Sequence, residues 1–188
     1  MSSGDHDGMA QLLAAARGGE DGAVARLCAA LYQDLRVVAR SRLRSHQPFT
    51  LLNTTALVHE SFLRLSRTGR VDVSDRNHFL GYAAKVMRSV IVGFVRERMT
   101  EKRGAGAGHV PLNEEIVSGA ADEEAEIVRI HNALEELADI DPRVVRVVEM
   151  RYFAGMREKE IAAVLNVTER TVRRDWEKAR LLLRSSLQ

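Results

Sequence analysis

Cysteine is almost absent from this sequence, and proline and aromatic residues are scarce. Cys28 is the single cysteine among 188 residues, which excludes an intramolecular disulfide. Its position on the apolar side of a helical pattern predicts a buried thiol. Three prolines and 45% apolar residues favour a folded, mostly helical protein. No apolar run approaches the roughly 18 residues that cross a bilayer, and the N-terminal MSSGDHDGMAQ lacks the features of a signal peptide. These absences predict a cytoplasmic protein without a membrane segment.

The sequence also lacks the usual signs of a catalytic or metal site. Its histidines are scattered, at His6, His46, His59, His78, His109 and His131. No Cys or His cluster has metal-ligand spacing, no glycine-rich phosphate loop precedes a helix, and no strand pattern would support an α/β active site. His59 and Glu60 are adjacent, so on a helix they point about 100° apart and do not form a catalytic pair. We therefore predict no enzyme activity, no cofactor and no metal.

Charge is strongly segmented along the chain, although the formal net charge is only +2. The balance is −3 over residues 1–35, +9 over 36–103, −9 over 104–141 and +5 over 142–188. Lys and Arg drive binding to polyanions by neutralising phosphates, so two cationic blocks predict two contacts with nucleic acid. We expect the acidic block between them to lie against both cationic surfaces and mask them in the isolated protein.

Residues 156–184 predict two helices joined by a tight turn. The first helix has an apolar stripe formed by Ile161, Ala162 and Leu165. Asn166 tolerates the left-handed conformation of a helix end, and Thr168 is a good N-cap for the second helix.

The second of these helices is predicted to recognise DNA. Its apolar positions share one narrow face and are Val172, Trp176, Ala179 and Leu183. Arg170, Arg174 and Lys178 lie roughly opposite that face, and Arg173 flanks these three cations. A helix-turn-helix lays such a helix in the major groove, where Arg and Lys donate to guanine edges and phosphates. The alternative is a solvated basic face on an ordinary helical hairpin.

A further helix before this pair would complete a small core. Asp141 is a candidate N-cap, and Pro142 suits the first helical position. Residues 143–153 then carry apolar side chains at helical spacing, at Val144, Val147, Val148 and Tyr152.

The N-terminal half also predicts helices. They are expected at 9–17, from an Asp21 cap to about 45, at 54–66 and, after a polar loop at 68–77, from about 77 to 102. The last three have apolar stripes, formed in turn by Val24, Cys28, Leu31, Leu35 and Val38, by Val58, Phe62 and Leu65, and by Leu80, Ala83, Met87, Val90 and Phe94. Opposite the last stripe, a basic stripe is formed by Lys85, Arg88, Arg96 and Arg103. The basic stripe is either a solvated face or a second contact with nucleic acid.

Two ordered stretches resemble bacterial sigma factors of the extracytoplasmic-function (ECF) group. The residues LLNTTALVHESFLRL and HFLGYAAKVMRSVIVGFVRERMTEKRGAG resemble the second conserved region, especially of a subfamily with a Thr-Ala-Leu-Val-His-Glu motif. The residues RVVEMRYFAGMREKEIAAVLNVTERTVRRDWEKARLLL resemble the fourth conserved region. The resemblance implies an all-α protein, with a region 2 domain at 1–103, a flexible acidic linker at 104–122 and a region 4 helix-turn-helix domain at 123–188.

The resemblance also implies partners and residue roles. Core RNA polymerase and promoter DNA are the expected partners, and promoter-specific transcription initiation is the expected function. Polymerase binding is implied for Asn53, Thr55, Ala56, Glu60 and Arg64. Minus-ten recognition is implied for Lys85, Arg88, Arg96 and Arg103 and for a base-capturing loop, 68–78, in which Asp72, Asp75, Arg76 and Asn77 are candidate base contacts. Minus-thirty-five recognition is implied for Arg170, Arg173, Arg174 and Lys178. The alternatives are a stand-alone helix-turn-helix regulator and, with least support, a helical enzyme that modifies nucleic acid.

The start of the polymerase-binding helix departs from the pattern of the group. Several carboxylates are usual there, whereas this chain has Asn53, Thr54, Thr55 and Ala56, which leaves Glu60 as the acidic residue. Either binding energy is supplied elsewhere, or phosphorylation of Thr55 restores the negative charge, with Thr54 second because it is a candidate cap. Phosphorylation would make a serine/threonine kinase the activating partner. Regulation by phosphorylation would require no anti-sigma factor, although the sequence is also compatible with one.

Overall fold

The computed structural model describes residues 3–44, 52–104 and 114–186. These residues form α-helices and one π-helical segment, without strands, which confirms the predicted all-α fold. The α-helices are α1 (Ser3–Gly18), α2 (Ala23–Ala30), α3 (Tyr32–Arg44), α4 (Thr54–Arg67), α5 (Arg76–Gly104), α6 (Glu114–Ile140), α7 (Pro142–Val148), α8 (Glu158–Leu165) and α9 (Glu169–Ser186). The π-helical segment is Glu149–Phe153.

Helices α1 to α5 pack around the stripe predicted for the first long helix. All its members are buried, namely Val24, Cys28, Leu31, Leu35 and Val38. The predicted single helix is two helices, because the backbone turns at Leu31, although hydrogen bonds from Leu31 N and Leu35 N continue across the turn. The N-cap of α2 is Gly22, at φ 69°, rather than the predicted Asp21. Burial raises the pKa of the Cys28 thiol to about 11, in agreement with the predicted buried thiol.

The loop between α4 and α5 is fixed to the core. Val71 and Val73 are buried, and Val71 N donates to the carbonyl oxygen of Ala16 in α1 at 3.2 Å. Asp75 caps α5, because its Oδ1 accepts a hydrogen bond from the backbone N–H of His78 at 2.9 Å. Phe79, which the sequence analysis did not select, lies in the first turn of α5 and is fully buried.

Helix α6 begins inside the segment predicted as a linker. Its first residue is Glu114, whereas the sequence analysis expected a start near residue 123. Glu and Ala are strong helix formers, and their abundance in this stretch outweighs the cost of Gly119. Another part of the predicted linker, 105–113, lies outside the described residues.

Helix α7 starts as predicted but does not continue as an α-helix. Asp141 Oδ1 accepts from Val144 N at 3.3 Å, and proline follows at the first helical position. From residue 149 the helix widens into the π-helical segment, and the wider turn changes which side chains face the core. Tyr152, predicted to be core, is therefore 51% exposed, whereas Met150 and Phe153 are buried.

Helix α8 ends, and helix α9 is capped, at the residues that the sequence predicted. Asn166 ends α8 at φ 52°, in the left-handed region. Thr168 Oγ1 accepts from Thr171 N at 3.2 Å and so caps α9. Beneath the two helices lies a small apolar cluster of Val147, Met150, Met156, Ile161, Ala162 and Val172. Trp176 is only partly buried and lies at the edge of this cluster.

Replacing Asn166 by Ala is expected to lower the free energy of unfolding by about 1 kcal/mol. The left-handed conformation costs a residue with a Cβ about 1–2 kcal/mol, and Asn offsets part of that cost. Asn166→Gly is the matched control and should be neutral or slightly stabilising. Urea unfolding followed by circular dichroism measures both variants. An Ala variant as stable as the Gly variant would contradict the strained geometry at this position.

The two halves of the chain share an apolar core. Helix α6 and the π-helical segment pack on α5, and the main buried cluster contains side chains from both halves. Helix α5 is therefore covered by α4 on one side and by α6 on another. Among the described residues it is also the one helix long and apolar enough to cross a membrane, but 61% of its most apolar window is buried. Such burial is typical of the central helix of a folded core.

Candidate nucleic-acid and polymerase interfaces

The outer side of α9 carries the cationic residues predicted to recognise duplex DNA. Arg170, Arg173, Arg174 and Lys178 are all exposed. Arg173 Nε lies 2.7 Å from Glu158 Oε2, and Lys178 Nζ lies 2.7 Å from Asp141 Oδ2. Both cations are more than half exposed, and an ion pair with so exposed a member contributes little to stability. DNA phosphates can therefore replace these carboxylates without unfolding the helix.

Helix α9 is oriented by ion pairs with its neighbours. Asp175 lies on its inner side, is 2% exposed and accepts from Arg143 of α7 at 2.7 and 3.4 Å. Glu158 of α8 accepts from both Arg173 and Arg151, and these hydrogen bonds, that of Arg173 above all, lower the pKa of Glu158. The buried contact of Asp175 with Arg143 joins α9 to α7, and the lowered pKa favours a charged Glu158 beside Arg173.

The basic stripe of α5 is not the free surface that the sequence predicted. Lys85 and Arg96 are exposed, but Arg88 is only 4% exposed, so the expected exposure of Arg88 is wrong. The side chain of Arg103 lies outside the described side chains. The reason is tertiary, because α6 and the π-helical segment cover the side of α5 that carries Arg88.

Three groups of the C-terminal half surround the Arg88 guanidinium. Its Nη2 donates to Glu135 Oε1 at 2.8 Å and to Glu149 Oε1 at 3.0 Å, and its Nη1 donates to His131 Nδ1 at 2.8 Å. Glu149 is itself 5% exposed, whereas half of the Glu135 side chain is exposed. A buried charge is tolerated only when it is paired, so Arg88 and Glu149 depend on each other in this position.

Further polar contacts join the two halves. They are Arg96 Nη2 to Asn132 Oδ1 at 2.9 Å, Arg98 Nε to Glu124 Oε1 at 3.4 Å, and Arg146 Nη2 to His78 Nε2 at 3.2 Å. Acidic α6 therefore lies against the arginines of α5, as the charge segmentation suggested. The cationic side of α9 is not covered in the same way, against that expectation.

Sequence reasoning missed Glu135, Glu149 and His131 as partners of Arg88. A signal for the burial of Arg88 was present, because it lies among apolar residues one turn away on α5, at Ala84, Ile91 and Val92. A helix that is apolar on two sides predicts a second covering element. No sequence signal identified which residues would meet the guanidinium.

The predicted base-contacting residues of the loop have different surroundings. Asp75 caps α5, and its Oδ2 also accepts from Ser74 Oγ at 3.1 Å. Arg76 is exposed and donates two hydrogen bonds to Asp34 of α3, at 3.2 and 2.5 Å. Asn77 is partly exposed. Arg76 and Asn77 can therefore turn to a ligand without loss of the α5 cap, whereas Asp75 cannot.

A family model described as ECF sigma factor matches residues 6–188, which include both cationic helices and the contact between the halves. The chain belongs to the ECF sigma factor family. Sigma factors of this family bind core RNA polymerase and promoter DNA and direct promoter-specific transcription initiation. No curated protein and no solved structure matches the chain. The subfamily assignment from the Thr-Ala-Leu-Val-His-Glu motif stays a prediction.

The sigma factor exposes the helix predicted to bind polymerase. Helix α4 packs against α2, α3 and α5. Of the predicted polymerase contacts, the exposed residues are Asn53, Thr55, Glu60 and Arg64, and Ala56 is partly buried. Asn53 is the N-cap of α4, since its Oδ1 accepts from Ala56 N at 2.9 Å, so the cap role considered for Thr54 is wrong. Beside Thr55, the surfaces of α2, α3 and α4 form a groove of about 290 Å³, whose lining includes Tyr32, His59 and Phe62.

Acidification is expected to destabilise the sigma factor through His131. Burial, and then the charge of Arg88, lowers the pKa of His131, and its Nδ1 accepts from Arg88 only while the ring is neutral. Below about pH 6.5 the unfolded chain binds a proton that the folded chain does not. The stabilisation that depends on neutral His131 is therefore fully present above that pH. It falls by up to about 1.4 kcal/mol per pH unit as the pH decreases towards the folded pKa.

The variant His131→Asn retains an acceptor for Arg88 and removes the titration. Denaturant unfolding between pH 7 and 5 should therefore give a shallower loss of stability than in the wild type. His59→Asn, on the exposed side of α4, is the control and should retain the wild-type pH dependence. The pKa of His78 is also lowered by burial, and its contribution is common to all three proteins. Equal pH slopes for wild type and His131→Asn would contradict the prediction.

Proposed function

We propose that this sigma factor recognises the minus-thirty-five element as duplex DNA through α9 and the melted minus-ten element through α5 and the loop before it. We assign polymerase binding and minus-ten recognition to residues 1–103 and minus-thirty-five recognition to residues 123–188. The observation that carries the proposal is a cationic helix in each half of a chain that the ECF sigma factor model matches almost throughout. We infer a cytoplasmic location, because core RNA polymerase and promoter DNA are the proposed partners.

The position of the arginines on α9 supports major-groove recognition. Arg170, Arg173 and Arg174 lie in the first two turns of an 18-residue helix that Thr168 caps. The N-terminal residues of a recognition helix are those that contact base edges. The helix extends well beyond these turns and has its apolar side on α7 and α8. We therefore assign base contacts to these arginines and a phosphate contact to Lys178.

The exposed residues at the start of α5 support contact with single-stranded DNA. Arg76 and Asn77 are accessible beside the loop, and Lys85 and Arg96 follow on the same helix. Such an arrangement can hold a phosphate backbone while a base is taken out of the stack. In this proposal Arg88 and Arg103 complete the cationic side of α5 when DNA is bound.

Transcription of fragmented genomic DNA with purified core polymerase tests the function. Initiation at defined positions only when the protein is added would support the proposal. Tight binding to defined duplex sites without polymerase, and no stimulation of initiation, would instead support a stand-alone helix-turn-helix regulator.

We infer that phosphorylation of Thr55 by a serine/threonine kinase strengthens binding to core polymerase. Thr55 is exposed in the first turn of α4, and this turn contains no acidic residue. Free N–H groups and the helix dipole favour an anion at this end. Thr54 is partly buried, which makes it the weaker candidate. A phosphate on Thr55 would supply the negative charge that family members carry at this place.

Phosphorylated protein is expected to bind core polymerase about tenfold more tightly than unmodified protein, the equivalent of 1.4 kcal/mol. Thr55→Glu should give part of that gain. Thr55→Ala should bind like unmodified protein and fail to respond to kinase treatment, and Thr54→Ala is the matched control. Fluorescence anisotropy with labelled protein measures the affinity. Tight binding by unmodified protein, unchanged by the kinase and by all three substitutions, would contradict the role of Thr55.

A further inference from the structure

We propose that Glu158 of α8 is a positioning residue for base recognition, which holds Arg173 of α9 in the orientation that reads a guanine of the minus-thirty-five element. The proposal rests on the proposed role of α9 in duplex recognition. It deepens that role by assigning part of the sequence selectivity to a residue outside α9. Arg173 makes the base contact, and Glu158 acts only through Arg173.

The contact between Glu158 and Arg173 occupies one edge of the guanidinium and leaves another edge accessible. Arg173 Nε donates to Glu158 Oε2 at 2.7 Å. A guanidinium has five N–H donors in a fixed planar arrangement, and the Nη atoms carry those that this hydrogen bond does not use. The Glu169 carboxylate lies 3.9 Å from Arg173 Nη2, which is beyond hydrogen-bond distance. The side chain of Arg173 is 64% exposed, so its Nη atoms can donate to O6 and N7 of guanine.

The second carboxylate oxygen of Glu158 is held as well. Its Oε1 accepts from Arg151 Nη1 at 2.8 Å, so each oxygen of the carboxylate binds one arginine. The guanidinium of Arg151 lies over the ring of Trp176, 4.9 Å from the ring centroid. A chain of contacts therefore runs from the partly buried Trp176 through Arg151 and Glu158 to the exposed Arg173.

Glu158 is suited to hold an arginine beside DNA. The hydrogen bond from Arg173, and then that from Arg151, lowers the pKa of Glu158 and favours the charged carboxylate. Only 25% of the Glu158 side chain is exposed. Glu158 is the first residue of α8, and α8 packs directly on α9. The carboxylate is therefore placed by helix packing rather than by a flexible loop.

Holding the arginine before DNA binds lowers the cost of recognition. A long side chain loses rotamer freedom when it is fixed, and this loss offsets part of the binding free energy. Here part of the loss occurs when the protein folds. A phosphate can bind Arg173 by displacing Glu158, whereas a guanine can bind the free edge without displacing it. Glu158 should therefore favour the base contact over a non-specific phosphate contact.

Selection from a random duplex library by the reconstituted holoenzyme tests the role of Glu158. Arg173→Ala identifies the base pair that Arg173 reads, as the position of the selected motif at which the preference for guanine is lost. The wild type should prefer guanine there by about tenfold or more. Glu158→Ala should lower that preference about fivefold and leave the preferences at the other positions unchanged. Sequencing of the bound duplexes measures each preference.

Further variants separate positioning from charge and from stability. Glu158→Gln retains one acceptor oxygen and should give an intermediate preference. Arg151→Met releases Glu158 from its other partner and should lower the preference at the same base pair. Glu169→Ala is the matched control, because it removes a carboxylate beside the same arginine without removing a hydrogen bond, and it should leave the preference unchanged. Circular dichroism verifies that each variant is helical.

An unchanged guanine preference in Glu158→Ala would overturn the role of Glu158. A higher preference would overturn it too, since Glu158 would then compete with the base for Arg173. An equal loss at every position of the motif would also count against it, because such a loss reports a displaced α9. Failure of the proposed function gives a different result, in which no position of the motif depends on Arg173 at all.

Discussion

Phe79→Ala is expected to lower the free energy of unfolding by about 3–5 kcal/mol. Phe79 is fully buried in the main apolar cluster, in the first turn of α5. Its truncation loses the transfer free energy of the ring and leaves a cavity that the surrounding helices fill only in part. Total stabilities of about 5–15 kcal/mol are typical, so the variant should lose a large part of its stability. Urea unfolding monitored by circular dichroism measures the loss.

Phe94→Ala is the matched control on the same helix. The sequence analysis selected Phe94 as core, but the structure leaves it partly exposed. Its truncation should therefore cost clearly less than that of Phe79. Equal losses for the two variants, or a larger loss for Phe94, would contradict the packing of α5 described above.

Arg174→Ala is expected to weaken recognition of the cognate promoter by about 1–3 kcal/mol. Arg174 is exposed in the second turn of α9, where a recognition helix contacts base edges. Arg173→Ala should have an effect in the same range. Binding of core polymerase should not change in either variant, because α4 is remote in sequence and packs on other helices. Promoter affinity of the reconstituted holoenzyme measures the effect.

Arg180→Ala offers a control on the same helix. Arg180 lies about 9 Å further along the axis than Arg174 and makes a pair with Glu177 at 3.4 Å. It should change promoter affinity much less. Full transcription by both Arg173→Ala and Arg174→Ala would show that this side of α9 does not contact the promoter.

The features that depend on neighbouring residues could be predicted from the sequence. Asp141 with Pro142 begins a helix because a side-chain acceptor and a preset φ act within one turn. Asn166 and Thr168 end and begin helices for equally local reasons. The buried stripe from Val24 to Val38 follows from helical periodicity alone. The turn at Leu31 could not be predicted, because no Pro or Gly marks it in the sequence. The order of two motifs along the chain identified the family that the whole-chain match confirms.

The environment of each side chain depended on what packs against it, and only the tertiary structure decided that. On a helical wheel, Arg88 falls within the cationic stripe of α5. In the structure, α6 and the π-helical segment cover it and provide its hydrogen-bond partners Glu135, Glu149 and His131. Tyr152 occupies one of the apolar positions at helical spacing, yet its side chain is exposed because the π-helical turn redirects it. Periodicity predicts which residues share a face of a helix, whereas burial and ion pairing require a partner element distant in sequence. The sequence therefore determined most of the helices, the caps at Asp141 and Thr168 and the family. The tertiary structure decided which cations of α5 face solvent.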